Sequence, residues 1–258
     1  MSMRRILIIG MGTGHPEHIT IQAVNALQRV DVLFVIDKGP DKEELARLRR
    51  EICARYVPNK PLRTLVIPDP DRDRNPTNYH AAVQTWHERR ACIYEAVFTE
   101  QLAENQCGAF LVWGDPSLYD STIRIVEQIA ARGTVPFEYE VIPGITSIQV
   151  LTARHRIALN QIGAPVQITT GRCLAAQPQP LSVDTVVLLD GECAFKAFTD
   201  DQLQIYWGAY LGTPDEILLS GRLGEISATI QQARAEARQA KGWIMDTYLL
   251  RKPAEPRR

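Results

Sequence analysis

Three segments of this sequence each combine a short apolar strand, a glycine-containing turn and the start of a helix. They are residues 6–14, 111–122 and 139–147. Strands that alternate with helices form βαβ units, whose loops meet at the carboxyl ends of parallel strands. Open α/β sheets bind small molecules at that edge. The sequence therefore predicts a largely parallel sheet with a small-molecule site at its carboxyl edge.

The first 162 residues alternate between strand and helix patterns. Apolar runs predict strands at residues 4–9, 32–36, 65–67, 109–113 and 137–142. Helical spacing predicts helices at residues 16–29, 42–55, 79–105, 123–131 and 146–155. Residues 68–76 contain three prolines among charged residues and predict an irregular insertion.

The pattern changes near Gly163, after which strands outnumber helices. Strands are predicted at residues 166–170, 185–189, 203–210, 216–219 and 243–249, with a helix at 223–240. We therefore expect an α/β fold of two domains: a largely parallel N-terminal domain (residues 1–162) and a mixed C-terminal domain (residues 163–258).

Composition narrows the possible functions. The 258 residues are 45% hydrophobic and carry a formal net charge of −1, which argues against a general nucleic-acid-binding surface. No apolar run is long enough to span a bilayer, and the first residues lack a secretory signal pattern, so we expect a cytoplasmic protein. The five cysteines are scattered without a CxxC pair, so neither a metal site nor a disulfide framework is expected.

The glycine-rich loop at residues 10–14 allows three interpretations. A dinucleotide site is one, but His15 occupies the position of the third glycine in that fingerprint. A tight turn in which backbone approaches backbone is the second. The third is a set of exposed amides facing an anionic substrate.

Asp115 lies in the turn Gly114-Asp115-Pro116, directly after a predicted strand. A carboxylate at a strand end can accept hydrogen bonds from an amino or hydroxyl group of a ligand. Alternatively, it caps a helix that begins near Ser117. The residue alone leaves both interpretations open.

Together the motifs resemble those of the tetrapyrrole (corrin/porphyrin) methylases. That family combines a glycine-rich loop before a helix with Leu-Thr, then Gly-Asp-Pro-x-x-Tyr/Phe, then Pro-Gly-Ile-Thr/Ser. This sequence has residues 10–14 with Ile19-Thr20, then 114–119, then 143–147. The resemblance extends along nearly the whole chain. Residues 10–20, 68–90 and 188–195 favour the branch that methylates precorrin-5 and releases acetate.

The resemblance implies that S-adenosylmethionine binds in a cleft between the two domains. The corresponding cofactor-binding residues are Trp113, Asp115, Leu118, Thr146, Ser147, Asp190, Gly221 and Leu223. Asp190 stands where the family often has an apolar residue, and His15 where an acidic residue is common.

The implied reaction transfers a methyl group to C-1 of precorrin-5, with loss of acetate, to give precorrin-6A in corrin ring (cobalamin) biosynthesis. Alignment of the reactants and exclusion of water would supply most of the catalysis of methyl transfer. Loss of the acyl group also requires water and a general base. The candidate groups are Asp37, His15, Tyr119 and His87.

The substrate carries several carboxylates, which arginine side chains and exposed backbone amides suit. The candidates are Gly12, Gly14, Arg72, Arg74, Arg89 and Arg90. The alternative is that the arginines belong to a solvated charged loop. The resemblance also implies a homodimer. Rival functions are another precorrin or uroporphyrinogen methyltransferase, a nucleotide-dependent oxidoreductase, and a tetrapyrrole-binding carrier without turnover.

Overall fold

A computed structural model of the chain describes residues 3–37, 43–71, 73, 77–176, 181–200 and 202–252. The chain divides into two compact units, Met1–Thr146 and Ser147–Arg258. The boundary expected between residues 162 and 163 lies later in the chain, after helix α5 (Ser147–His155). Because α5 packs on strands of the second sheet, this helix belongs with the second unit.

The first unit contains a five-stranded parallel sheet. Its strands are β1 (Arg4–Gly10), β2 (Val32–Asp37), β3 (Arg63–Pro68), β4 (Cys107–Val112) and β5 (Phe137–Ile142). Their order across the sheet is β3-β2-β4-β1-β5. The predicted parallel α/β architecture is confirmed.

Helices cover both faces of this sheet. They are α1 (Ile21–Leu27), α2 (Glu43–Tyr56), α3 (Tyr79–Gln101) and α4 (Thr122–Arg132). On β1, Leu7 and Ile9 face the core under α1 and α2, whereas Ile6 and Ile8 face the core under α3 and α4. Burial on both faces explains why the central strands β1 and β4 read as continuous apolar runs in the sequence.

Local capping decides where two of the helices begin and end. The helix expected over residues 16–29 is a 3₁₀ turn, Pro16–His18, followed by α1. Thr20 separates them, because its hydroxyl accepts a hydrogen bond from the Ala23 N–H and so starts α1 as an N-cap. Helix α3 ends at Gln101 rather than near residue 105. Beyond it, the Gln106 side chain accepts from the Ala103 N–H in the turn that leads to β4.

The second unit contains a mixed five-stranded sheet in the order β6-β7-β10-β8-β9. The strands are β6 (Val166–Thr170), β7 (Asp184–Leu188), β8 (Gln204–Ala209), β9 (Ile217–Arg222) and β10 (Asp246–Arg251). The first pair, β6 and β7, is parallel, and the remaining pairs are antiparallel. The helices are α5, the short α6 (Gly171–Ala175), which the sequence pattern did not predict, and α7 (Leu223–Lys241).

Candidate active site

Three neighbouring strands of the first sheet, β4, β1 and β5, end in the glycine-containing loops that the sequence singled out. The first two loops pair with each other through an antiparallel bridge between Gly12 and Gly114. The Gly114 N–H donates to the Gly12 carbonyl at 2.8 Å, and the Gly12 N–H donates back at 3.3 Å. These loops therefore lie together at the carboxyl edge of the sheet, as predicted.

Glycines allow the three loops to touch backbone to backbone. A Cβ atom on Gly144 would lie 2.1 Å from the Gly114 carbonyl oxygen, and one on Gly10 would lie 2.6 Å from the Gly144 Cα. Both distances are far below a van der Waals contact. Gly12 and Gly114 also have positive φ angles, 77° and 67°. These contacts favour the tight-turn interpretation of the glycine-rich loop.

The Asp115 carboxylate joins the loop after β4 to the loop after β5. One oxygen, Oδ2, accepts from the Gly144 N–H at 2.8 Å, and Oδ1 accepts from the Ser117 N–H at 2.8 Å and from the Ser117 hydroxyl. Burial alone would raise the pKa of Asp115, but these hydrogen bonds outweigh it and hold the pKa below its usual value. Asp115 is therefore an ionised group that holds two loops of the first unit together.

The helix after this turn begins later than the capping alternative assumed. Helix α4 starts at Thr122, and Asp120 rather than Asp115 accepts from its first N–H, at 2.7 Å. Trp113 and Leu118 are half-buried, and Tyr119 is exposed with a left-handed φ of 52°. The loop thus presents apolar and aromatic side chains at the sheet edge.

His15 follows the glycine-rich loop and caps the 3₁₀ turn. Its Nδ1 accepts from the Glu17 N–H at 3.2 Å, so the neutral ring carries its proton on Nε2. Its ring lies beside His18, whose Nδ1 is 2.9 Å from the hydroxyl of buried Thr13. In this tautomer Nε2 of His15 is a hydrogen-bond donor.

The other predicted residues of the first unit lie on the same sheet edge or on α3. Asp37 is the last residue of β2 and is exposed, so it shares the carboxyl edge with His15 and Tyr119. Arg89 is exposed on α3, and Trp86 and His87 of the same helix are half-buried. Arg72 and Arg74 lie outside the described residues.

Arg90 is committed to contacts within the protein. Its guanidinium forms a two-pronged ion pair with Asp69, with Nε–Oδ1 and Nη2–Oδ2 distances of 2.7 and 2.6 Å. It also stacks over the Trp86 ring at 3.9 Å and donates to the Ser121 hydroxyl at 3.4 Å. Only 6% of the Arg90 side chain is exposed. Of the predicted arginines that the structure describes, Arg89 is thus better placed to meet a ligand.

Asp190 is buried in the second unit, where its side chain accepts hydrogen bonds from the protein itself. Its carboxylate accepts from the Ala194 N–H and the Tyr248 hydroxyl, both at 2.6 Å, and from the Glu192 N–H at 3.0 Å. Its backbone carbonyl accepts from Arg234. Asp190 is 4% exposed, so its side chain points into the unit rather than towards solvent.

Leu189 is the apolar residue that the sequence interpretation missed at this position. It directly precedes Asp190, is 67% exposed and has a left-handed φ of 52°. A large apolar side chain held outward in a strained backbone is a candidate ligand contact. The signal in the sequence was an apolar residue between a strand end and an Asp-Gly pair.

The remaining predicted residues of the second unit differ in exposure. The Ser147 hydroxyl accepts from the Thr247 hydroxyl at 2.9 Å, which ties α5 to β10. Gly221 lies near the end of β9 and is half-buried. Leu223 is 2% exposed at the start of α7. Thr146, in the first unit, is half-buried beside Gly114.

No helix among the described residues is both long and apolar enough to cross a membrane. No group of three or more His, Cys, Asp or Glu side chains in the same part of the chain is arranged to hold a metal ion.

Comparison with known proteins indicates the same family as the motifs. The sequence model of the tetrapyrrole (corrin/porphyrin) methylases matches residues 5–227. A precorrin-6A synthase [deacetylating] from Sinorhizobium sp is 56% identical over 253 residues, which cover 98% of this chain and 97% of that protein. A precorrin-2 C(20)-methyltransferase from the same source is 31% identical over 56% of this chain.

Solved structures show the same fold. The crystal structure of a cobalamin synthesis related protein (CobF) from Corynebacterium diphtheriae has a TM-score of 0.83 at 38% identity, covering 97% of this chain and 99% of that one. The uroporphyrin-III C-methyltransferase of Thermus thermophilus, complexed with S-adenosylhomocysteine, has a TM-score of 0.55 at 19% identity, covering 95% and 91%. On the family match and the near full-length identity, this chain belongs to the tetrapyrrole (corrin/porphyrin) methylases.

Proposed function

We propose that this chain is an S-adenosylmethionine-dependent C-methyltransferase of corrin ring biosynthesis. It methylates C-1 of precorrin-5 and releases the extruded two-carbon acyl group as acetate, giving precorrin-6A, the activity named precorrin-6A synthase (deacetylating). The observation that carries this proposal is the identity to the Sinorhizobium precorrin-6A synthase along almost the entire length of both proteins.

The residues at the first sheet edge suit S-adenosylmethionine, which supplies an electrophilic methyl group on a sulfonium. Half-buried Trp113 and Leu118 offer apolar surface, and Thr146 offers a hydroxyl. Ser147, the first residue of the second unit, offers another. Asp115 supports this role by fixing the loop that carries Trp113 and Leu118. In the second unit, we propose that Leu189, Gly221 and Leu223 serve the adenosine and that Asp190 holds the turn from within.

Loss of the acyl group requires a base and a hydrogen-bond donor at the macrocycle. Three of the four candidates, Asp37, His15 and Tyr119, lie on the carboxyl edge of the sheet. Among these, Asp37 carries a carboxylate, a group that can act as a general base. His15 donates through Nε2, because Nδ1 accepts from the backbone. The Tyr119 hydroxyl can donate a hydrogen bond. We therefore propose Asp37 as the base and the other two as donors.

The substrate carboxylates require cationic or amide donors. We propose that Gly14 and Arg89, with Arg72 and Arg74, provide part of this set. Gly12 contributes less, because its N–H donates to Gly114. Arg90 supports the insertion from within through Asp69.

A methyl-transfer assay tests the proposed function. The purified protein should convert precorrin-5 and S-adenosylmethionine into a methylated macrocycle, detected by mass spectrometry, with one acetate released per methyl transferred. An Asp37→Asn variant should keep S-adenosylhomocysteine binding but lose acetate release. Methylation of a different precorrin or of uroporphyrinogen without acetate would point to the alternative methyltransferases. Binding of NAD in calorimetry, without S-adenosylhomocysteine binding, would favour the oxidoreductase.

The proposal includes a homodimer. Light scattering of the purified protein, with and without S-adenosylhomocysteine, measures the molar mass in solution. A mass of one chain in both conditions would contradict this part of the proposal.

A further inference from the structure

The turn that follows β7, residues 189–193, has an exposed outer side and a buried inner side, and we name it the β7 turn. Leu189 is exposed, whereas Asp190 and Cys193 are buried. Leu189 and Cys193, at the two ends of the turn, have left-handed φ angles of 52° and 58°. Residues other than glycine adopt such angles at a cost in free energy. A turn with two of them therefore needs surroundings that hold it in place.

Asp190 connects the inner side of the β7 turn to three other elements. A Cβ atom on Gly171, at the start of α6, would lie 2.5 Å from the Asp190 Cγ, so α6 begins directly against this carboxylate. From β10, the Tyr248 hydroxyl donates to Asp190 Oδ2 at 2.6 Å. From α7, the Arg234 Nη2 donates to the Asp190 backbone carbonyl at 2.6 Å. The conformation of the turn thus depends on donors that lie far from it in the sequence.

The two distant donors are themselves fixed in direction. The Arg234 Nε pairs with Asp246 Oδ2 at 3.0 Å, and the indole N–H of buried Trp207 donates to the same oxygen at 3.0 Å. The side chains of Arg234 and Asp246 are 10% and 5% exposed, so this ion pair is shielded from water. Burial raises the pKa of Tyr248, and the charge of Asp190 raises it further, so the hydroxyl keeps its proton and remains a donor.

We propose that Arg234 and Tyr248 are positioning residues for the adenosine part of the cofactor, which act by holding the β7 turn and its Leu189 side chain in the orientation that binds the ligand. This inference rests on the proposed function, which assigns Leu189 to the adenosine. A ligand contact that is held in place before binding requires less ordering when the ligand arrives. The two residues therefore raise the affinity without touching the ligand.

Two variants remove the donors to Asp190. Tyr248→Phe deletes the hydroxyl and keeps the ring that packs against Phe195. Calorimetry measures the dissociation constants of S-adenosylhomocysteine and of 5′-methylthioadenosine, which keeps the adenosine but lacks the amino acid. We expect Tyr248→Phe to raise both constants by about threefold to tenfold, because the net worth of one hydrogen bond limits how much order the turn loses. Arg234→Met, which removes a charged donor, should raise them by about tenfold or more.

A matched control separates positioning from a general loss of stability. Arg251→Met breaks another buried ion pair of β10 and β7, in which the Arg251 Nε lies 2.7 Å from Asp184 Oδ2. This pair lies at the ends of the two strands opposite to the β7 turn, as their antiparallel register shows. Arg251→Met should lower the melting temperature but leave both dissociation constants within about twofold of the wild type. A loss of affinity equal to that of Arg234→Met would overturn the inference.

Steady-state kinetics supply a readout that a merely structural role would not move. In folded Tyr248→Phe and Arg234→Met, the KM for S-adenosylmethionine should rise in parallel with the dissociation constants. The kcat at saturating S-adenosylmethionine should stay near the wild-type value, because the bound ligand itself orders the turn. Unchanged dissociation constants in the folded variants would overturn the inference, and Tyr248→Phe decides alone if Arg234→Met does not fold.

A double-mutant cycle tests whether Tyr248 acts through Leu189. Leu189→Ala truncates the exposed side chain and should by itself weaken the binding of both ligands. Adding Tyr248→Phe to Leu189→Ala should then change the dissociation constants by less than about twofold, because the contact that Tyr248 positions is already gone. Effects of the two substitutions that simply multiply would show that Tyr248 does not act through Leu189 and would contradict the proposal.

The same measurements distinguish this inference from the proposed function. Adenosine binding that depends on Arg234 and Tyr248, in a protein that methylates another tetrapyrrole and not precorrin-5, would reject the proposed function and retain the positioning role. Methylation of precorrin-5 with an unchanged KM for S-adenosylmethionine in both variants would retain the function and reject the positioning role.

Discussion

Asp115 shows how a motif residue can serve a site by holding backbone. Its carboxylate accepts from Gly144 and Ser117, so Asp115→Ala leaves these donors without their acceptor. We expect a loss of about 1.5–3 kcal/mol in the free energy of unfolding, the range for hydrogen bonds to a charged group. Urea unfolding measures it, with exposed Asp71→Ala as the control. Weaker S-adenosylhomocysteine binding should accompany the loss, and unchanged stability would contradict the loop-holding role.

Asp115 also makes the stability of the folded protein depend on pH. The folded protein lowers the pKa of Asp115, so its contribution to stability is complete above the unfolded pKa, about 3.9. That contribution disappears as the pH falls through the lower folded value. The difference in stability between the wild type and Asp115→Ala should therefore be constant near neutral pH and narrow below about pH 4.

Arg90 and Arg89 are adjacent in the sequence but differ in environment. Removing Arg90 leaves Asp69, whose side chain is 19% exposed, without its partner. We expect Arg90→Met to lower the free energy of unfolding by about 3–5 kcal/mol, the cost of breaking a buried ion pair. Arg89→Met, at an exposed position, should change it by less than about 0.5 kcal/mol. Thermal unfolding of both variants checks this, and equal melting temperatures would show that the ion pair contributes little.

At the scale of elements, the loops after β1, β4 and β5 form one packed unit. Gly144→Ala would place a Cβ 2.1 Å from the Gly114 carbonyl oxygen, so one loop must move. We expect a loss of about 1–3 kcal/mol or more in the free energy of unfolding, as in overpacked sites. Gly191→Ala is the matched control, because nothing lies within 4 Å of its Cβ position. A Gly144→Ala protein as stable as the control would show that the loops are loosely packed.

At the scale of the whole molecule, each unit has its own sheet and its own buried polar groups. In the second unit, His155 of α5 donates from Nε2 to the Trp207 carbonyl at 3.0 Å. Burial lowers the pKa of His155, although this hydrogen bond and Glu216 act in the opposite direction. The unfolded chain therefore binds the proton more tightly, so stability is complete above the unfolded pKa of about 6.5 and falls as the pH decreases.

Replacing His155 with a group that does not titrate tests this pH dependence. His155→Gln keeps a donor for the Trp207 carbonyl. The wild type should lose more stability than this variant between about pH 7.5 and pH 5.5, because only the wild type takes up the proton. Melting temperatures across this range measure the difference, and parallel curves would rule out His155 as the cause.

Particular residues show how far the sequence could be interpreted without the structure. Continuous apolar runs such as β1 and β4 were predicted because strands buried on both faces leave a local pattern. The 3₁₀ turn at Pro16–His18 was missed, because the apolar spacing continues through it and the Thr20 cap alone interrupts the helix.

The sequence by itself determined the class of fold, the order of the strand-loop-helix motifs and, through their resemblance, the family. These depend on residues close together in the chain, whose periodicity and turn chemistry are local. Only the tertiary structure decided that Asp115 joins two loops, that Arg90 pairs with Asp69 and that Asp190 points inward. Each of these depends on which distant segments come into contact, because a polar side chain bonds whatever donor or acceptor burial brings to it.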